Sequence, residues 1–297
     1  MIINAVDTTL QIAFLYAIQA IAVAVAFRVI GFPDLTPDGS FTLGASVTGV
    51  LLLSGFPSWL AMAVSLGVGA LAGSLTALLH TRLRVSMLLS GILMMLILYS
   101  VSLRVMGTSN LSLMNVNNFL STLILRGDSL LPLCVTAMVC LCVYLVIYML
   151  LKTKAGLRLR ATGDSSTALE LRGISREPNY IWGLAAVNGL AGLAGSLIAQ
   201  YQGFVDISMG GGLVIIALAA MVMGETVIRP ERAASLVFAP VVGMVIYQGI
   251  VACTLRLGLT PADLKITTAV LALFFIGMDR LRSQYGSVTR QIGNRSI

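Results

Sequence analysis

The sequence predicts an all-α, polytopic membrane protein of about nine transmembrane helices, built as two inverted four-helix repeats joined by a connector helix. Three observations carry that expectation. Hydrophobic residues make up 58% of the chain and charged residues only 10%, and the mean hydropathy is +0.95. A soluble domain is about a quarter charged. The apolar runs approach the ~20 residues with which a helix crosses a bilayer, and they lack the alternation of a membrane β-barrel. A ten-residue stretch also occurs twice. Residues 31–40 read Gly-Phe-Pro-Asp-Leu-Thr-Pro-Asp-Gly-Ser and residues 203–212 read Gly-Phe-Val-Asp-Ile-Ser-Met-Gly-Gly-Gly. Each copy is polar and helix-breaking between two long apolar runs.

In order, helix 1 covers about 9–30, and Pro33 and Pro37 prevent its continuation. Helix 2 follows at about 40–54, shortened by Gly55 and Pro57. Helix 3 is expected over 58–79, a basic turn over 80–84, and helix 4 over 85–105. Residues 106–128 are polar and read as an external loop with one short helix. Helix 5 covers 129–151. The longest hydrophilic connection, 152–178, comes next, then helix 6 over 180–201 and the second break. Helices 7, 8 and 9 follow at about 212–228, 233–252 and 266–281, and a basic tail closes the chain. No Lys or Arg precedes Arg28, so the first run is expected to stay as a helix and not to be removed as a signal peptide. The whole of 1–297 reads as one transmembrane domain: repeat 1 over 9–105, connector 106–178, repeat 2 over 180–281, tail 282–297.

Lys and Arg set the orientation. With nine helices, the 80–84 turn, the 152–178 loop, the 229–232 turn and the tail share one face. The long loop alone holds Lys152, Lys154, Arg158, Arg160, Arg172 and Arg176. That face is expected to be cytoplasmic, with the N-terminus outside and the C-terminus inside. The net charge of +7 is thereby accounted for, and no nucleic-acid partner is expected. A shift of 172 residues overlays Gly31 on Gly203, Asp34 on Asp206 and Arg84 on Arg256. Helices 1–4 then echo helices 6–9, and the breaks emerge on opposite faces. Inverted repeats require this, and they place a translocation path at their interface.

The polar residues in this apolar setting are the candidate functional groups. A carboxylate at membrane depth is costly and points to function, which singles out Asp34, Asp38 and Asp206. Asp, Thr and Ser before an apolar run are also helix N-caps, and Asp38 and Ser40 are placed to cap helix 2. The two roles can coexist, because a half-helix N-terminus also presents its dipole to a polar solute. Gln11, Gln19, Tyr99, Asn188, Gln200, Gln202, Tyr247 and Gln248 must face the bundle interior or water. Of these, Gln19, Tyr99, Asn188 and Gln202 join the three carboxylates as candidates for the path. Gly67, Gly69 and Gly73, and Gly189, Gly192 and Gly195, have the spacing of close helix packing. Glu225 is expected to snorkel or to pair with Arg229 or Arg232, His80 to lie on the surface, and the four cysteines to be buried thiols.

In the long loop, Asp164, Ser165 or Ser166 can cap a short helix through Leu171, which Gly173 is placed to end. Ala168, Leu169, Glu170, Leu171 and Arg172 would give that helix the mixed apolar and charged surface that docks a soluble partner. No catalytic set is present. A single His excludes His-rich metal chemistry, and no phosphate-binding loop of the G-x-x-x-x-G-K-[ST] type occurs, so neither metal nor nucleotide is expected on this chain.

Three segments resemble a known family: Leu98-Tyr99-Ser100-Val101-Ser102-Leu103-Arg104-Val105-Met106-Gly107, the Phe32–Ser40 break, and Gly156-Leu157-Arg158-Leu159-Arg160-Ala161-Thr162-Gly163-Asp164. Together they are similar to one group of bacterial ABC importer permeases within the branched-chain amino acid/ribose permease family. The resemblance implies a multi-pass permease subunit of the bacterial inner membrane that forms a homodimer and binds two cytoplasmic ATPase subunits, which hold the ATP and Mg. It implies delivery of solute, an amino acid or a related compound, by an extracytoplasmic binding protein. It also implies a coupling helix at about 165–173. There Ala168, Glu170 and Gly173 keep only the outline of the Glu-Ala-Ala…Gly loop of other importers. The competing reading of the same residues is an ion-coupled secondary transporter, with Asp34 and Asp206 as its ion sites.

Overall fold

The computed structural model describes residues 2–114, 116, 118–120, 130–164, 173, 175–228 and 233–256, with isolated positions 266, 270, 273 and 277. The chain is helical nearly throughout. Helix α1 (Ile2–Ala24) runs on as a π-helical turn, Val25–Ile30, that Gly31 ends in the left-handed conformation (φ +68°). Then come α2 (Thr36–Leu53), α3 (Ser58–Thr81) and α4 (Met87–Met106), followed by the short strand β1 (Asn110–Ser112). The second part holds α5 (Leu130–Lys152), α6 (Lys154–Asp164), α7 (Glu177–Gln202), strand β2 (Phe204–Asp206), α8 (Leu213–Val227) and α9 (Ala233–Arg256). Among the described residues, six helices are long and apolar enough to cross a membrane: α1 with its π-turn, α3, α4, α5, α7 and α9. The protein is a multi-pass membrane protein.

Helix α2 lies within the bundle, buried at every position from Thr36 to Ser46 and packed by α3, α4 and α7. Helix α1 is the second interior helix, enclosed by α5, α7, α8 and α9. Helix α7 stands between them. Lipid is as apolar as Leu, so nothing hydrophobic drives these helices together, and close backbone approach and interhelical hydrogen bonds must do so. Both are present. Gly192 and Gly195 of α7 lie against Gly44 and Phe41 of α2, and on the other side Gly69 and Gly73 of α3 meet Asn188 and Leu184. A side chain at any of these crossings would strike a neighbouring backbone. Hydroxyls cross the same seam: Thr48 Oγ1 donates to Ser196 Oγ at 2.6 Å, lies 2.8 Å from Ser65 Oγ, and Ser65 donates to the Gly44 carbonyl at 2.9 Å. The glycine spacing expected to mean packing does so, except that Gly67 has open space beside it.

The helix ends sort into two groups. One end of the bundle gathers the π-turn, the 82–86 turn, α6, the start of α7 and the end of α8. The other gathers the end of α2, β1 and β2, whose antiparallel register pairs Asn110 with Asp206. Of the described basic residues, Arg28, Arg82, Arg84, Lys152, Lys154, Arg158, Arg160 and Arg176 fall in the first group, and Arg104 and Arg256 at the opposite ends of their helices.

Several expectations are corrected. Helix α2 begins at Thr36 and not at residue 40, because Pro37 sits in its first turn, where a missing N–H costs nothing. The first part of the 152–178 loop is itself a helix, α6, which buries Gly156, Leu159 and Thr162 on one face. Its partners are the end of α5 and the π-turn, where Gly163 meets Val29 and Gly31. Of the cysteines, only Cys140 is buried, and Cys134, Cys142 and Cys253 are exposed. The expected ninth helix lies outside the described residues except at 266, 270, 273 and 277, each helical or within a helix.

Replacing Gly192 by Leu drives a side chain against the Ser65 carbonyl and Gly69 and forces α3 and α7 apart. Overpacking a core costs ~1–3 kcal/mol and more where backbone must move. The variant is expected to lose its folded, monodisperse fraction in detergent or to melt several degrees lower, while Gly67→Leu behaves as the parent protein.

Candidate functional site

The site forms where the two repeated stretches bring helix starts into the bundle interior. They share two local features. Gly31 and Gly203 both end a helix in the left-handed conformation (φ +68° and +75°). Asp34 Oδ1 then accepts the Thr36 amide at 2.8 Å, and Asp206 Oδ1 accepts the Ser208 amide at 2.8 Å. This is the side-chain-to-backbone turn that Asp favours two residues ahead. In other respects the copies differ. The first passes directly into α2. The second makes strand β2 and further turns before α8 begins at Leu213.

Asp34 is fully buried. Its Oδ2 accepts from Asn188 Nδ2 at 2.9 Å, and Asn188 Oδ1 accepts from Ser40 Oγ at 2.8 Å. A single amide thus ties the first break and α2 to the middle of α7. Thr36 adds a hydroxyl contact of 3.0 Å to Thr76 of α3. Asp34 and Asn188, two of the candidates, are therefore direct partners.

Asp38 does not cap its own helix. Its carboxylate accepts the Gly212 amide at 2.9 Å and the Val214 amide at 2.7 Å, so it caps α8, whose Gly212 has no side chain to do so. Gly210 allows the approach, since a side chain there would meet the Asp38 carbonyl and Thr42. Gln19 of α1 reaches the same turn, with Nε2 donating to the Pro37 carbonyl at 3.4 Å. Its Oε1 is buried with no partner among the described residues. The first turns of α2 and α8 therefore meet through one carboxylate, beside a buried amide oxygen still able to accept a hydrogen bond.

The other candidates lie elsewhere. Asp206 lies at the end of the bundle that holds β1 and β2, where Asn110 also donates to it at 3.4 Å. The Ser208 hydroxyl and amide hold its carboxyl below the usual carboxylate range. It pins the β1–β2 pair and, unlike Asp34, is not enclosed by the helices. Tyr99 points outward from α4. Gln202 is at the end of α7, hydrogen-bonded to Tyr16 of α1. Around that bond lie Tyr201, whose hydroxyl donates to Gln11 Oε1 at 3.0 Å, and Phe41, stacked on Tyr16 at 6.1 Å. In the loop, Asp164 is the last residue of α6 and Gly173 has a left-handed φ of +73°. Ser165, Ala168, Leu169, Glu170, Leu171 and Arg172 lie outside the described residues.

Two contacts have no signal in the sequence. Glu225 pairs with Arg28 through two nitrogens of the guanidinium fork, one at 2.9 Å, so α8 is fastened to the π-turn; Arg229 and Arg232 lie outside the described residues. His80 is no mere surface residue. Its ring sits edge-on to Phe32 and Tyr180 at 5.4 and 5.5 Å, and its Nδ1 donates to the Val85 carbonyl at 2.8 Å.

Residues 5–278 match the family described as branched-chain amino acid transport system / permease component. The chain is 34% identical over 269 residues to a tyrosine transport system permease protein of Clostridioides difficile (strain R20291), covering 91% of this chain and 89% of that one. It is 30% identical over 285 residues to the uncharacterized protein RP368 of Rickettsia prowazekii (strain Madrid E), covering 95% and 99%. No solved structure matches.

Asp38→Ala removes both acceptors from the start of α8. Loss of a cap costs ~0.5–2 kcal/mol, and an apolar surrounding raises the cost of unpaired amides. The variant is expected to melt well below the parent in detergent and to exchange the amides of Gly212 and Val214 faster. Asp206→Ala, at the solvent-facing rim, is expected to shift melting by far less.

Proposed function

This chain belongs to the family of branched-chain amino acid transport permease components, and from that premise we propose that it is the membrane subunit of an ATP-binding-cassette importer for an amino acid. The ATPase subunits, which bind ATP and Mg, and an extracytoplasmic binding protein are separate chains, and the permease works as a homodimer. The end of the bundle rich in Arg and Lys faces the cytoplasm, as basic loops do. Residues 9–105 and 180–281 act as inverted repeats about the connector 106–178.

The observation that carries the reading is the Asp38 cap. It joins α2, the second helix of one proposed repeat, to α8, the second helix of the other, and the interface between repeats is where such transporters place their path. At the breaks, Asp34 and Asp38 have their oxygens engaged by backbone amides or by Asn188. That favours a capping and bridging role for these two residues over the ion-site role of the ion-coupled alternative. Tyrosine is the first solute to test. It is the solute in the name of the Clostridioides relative, and the outer half of the bundle carries Tyr16, Tyr201 and Tyr247 with Gln11 and Gln202, ring faces and amides that suit an aromatic amino acid. Energy enters through residues 165–173 as the coupling segment. Helix α6 leads straight into it and rests on Gly31 through Gly163, so a push on the segment reaches the first break.

In proteoliposomes holding the permease with its ATPase, and supplied with its binding protein, tyrosine uptake and stimulated ATP hydrolysis are the readouts. Arg172→Glu is expected to abolish both while membrane insertion stays normal, and Gly163→Leu to uncouple hydrolysis from uptake. Uptake driven by an ion gradient through this chain alone would refute the reading.

A further inference from the structure

A polar cleft of about 570 Å³ opens where α3 ends and α7 begins, lined by His80, Thr81, Arg84, Ser175, Arg176, Glu177 and Tyr180. Two features mark it as more than a gap between helix ends. Arg84 is the one described non-glycine residue with a positive φ, +56°, a conformation L side chains avoid and one that recurs at functional positions. It makes no ion pair with a described residue, whereas neighbouring Arg82 is paired with Glu177 at 2.5 Å. The Glu177 charge in the lining is thus already met from outside, and Arg84 gives the cleft a positive charge that no described carboxylate meets. The floor is rigid, because His80 and Tyr180 are wedged against the fully buried Phe32.

The cleft also sits at a definite depth. Trp182, 75% exposed, lies on α7 less than two turns from Glu177, and outward-facing Trp marks the level of lipid headgroups. Leu83, 67% exposed, adjoins on the other side. A basic, hydroxyl-bearing cleft between transmembrane helix ends at headgroup level matches the chemistry of an anionic phospholipid headgroup.

We propose that this cleft binds a phosphate group, presented by an anionic phospholipid, between Arg84 and Arg176. The inference is independent of what the chain transports. The test uses the full chain in detergent, with phosphatidylglycerol, phosphatidylcholine or inorganic phosphate added, read by melting temperature and by native mass spectrometry of retained lipid. Phosphatidylglycerol should raise the melting temperature and be retained, and phosphatidylcholine should do neither. Removing either arginine should weaken retention roughly tenfold. Arg84→Gly is the informative variant, because glycine suits φ +56°. The lipid-free protein should melt no lower than the parent while the phosphatidylglycerol effect disappears, and Arg176→Gln should act likewise. Protection by inorganic phosphate alone, absent in Arg84→Gly, would support the same phosphate chemistry with a soluble source. Equal retention of both lipids, an undiminished effect in both variants, or an equal decrease in the charge control Lys154→Gln would overturn the proposal. So would a role of Arg84 and Arg176 seen only when an ATPase subunit is present.

Discussion

A helix that starts inside a membrane begins with backbone amides that have neither a preceding turn nor water to bond. That constraint shapes the centre of this protein. Helix α8 starts after a run of three glycines and has no cap of its own, so the cap comes from Asp38, 174 residues earlier in the chain. For the carboxylate to arrive, α2 must begin early enough to place Asp38 in its first turn, and the second break must bend in to residue 210. The position beside the Asp38 carbonyl must also lack a side chain, and Gly210 meets that need. One pair of hydrogen bonds thereby fixes two helix starts relative to each other.

Holding α2 in the interior raises a second demand, since its polar face can meet only protein. The answer is pairwise. Thr36 meets Thr76, Ser40 meets Asn188, Thr48 meets Ser65 and Ser196, and Ser46 donates back to the Thr42 carbonyl at 2.7 Å. These contacts need backbones closer than ordinary side chains permit, which is why Gly44, Gly69, Gly73, Gly192 and Gly195 cluster on the same seam. The hydroxyls and the glycines are one device. The small residues bring the helices near, and the hydroxyls then add directional bonds worth ~0.6 kcal/mol each in a membrane setting.

What the sequence discloses follows the range of the interaction. The long apolar helices are legible because bilayer thickness imposes their length, and their ends differ from expectation by only a few residues, except that α1 begins at Ile2 and not near residue 9. The Gly-Phe-x-Asp-x-Thr/Ser stretch is legible because its bonds are local: the left-handed glycine and the Asp turn close within a few positions. The partner of Asp38 is not legible. A cap is ordinarily sought in the helix that follows, and Pro37 reads as a stop although proline is welcome in a first turn. Arg28 and Glu225 are hidden by a separation of 197 residues. Helix α6 is hidden because its buried face is Gly156, Leu159 and Thr162, mostly small residues set among Lys154, Arg158 and Arg160, and so lacks the apolar stripe of an ordinary amphipathic helix.

The attachments of α8 bear on how such a bundle could move. The helix is held at its start by Asp38 of α2 and at its end by Arg28 of the π-turn, so both fastenings flank the first break. A π-turn departs from regular helical register and is frequent at functional positions. Gly31, directly after it, is pressed by Gly163 of α6. A displacement of α6 therefore acts on the π-turn and the break together, at the point where α1 is least regular. The end of α8 must follow Arg28, while its start stays with α2. Under the proposed function, this converts motion at the ATPase side into a tilt of α8 about Asp38, with the central hydrogen bonds serving as the pivot and not as the part that breaks.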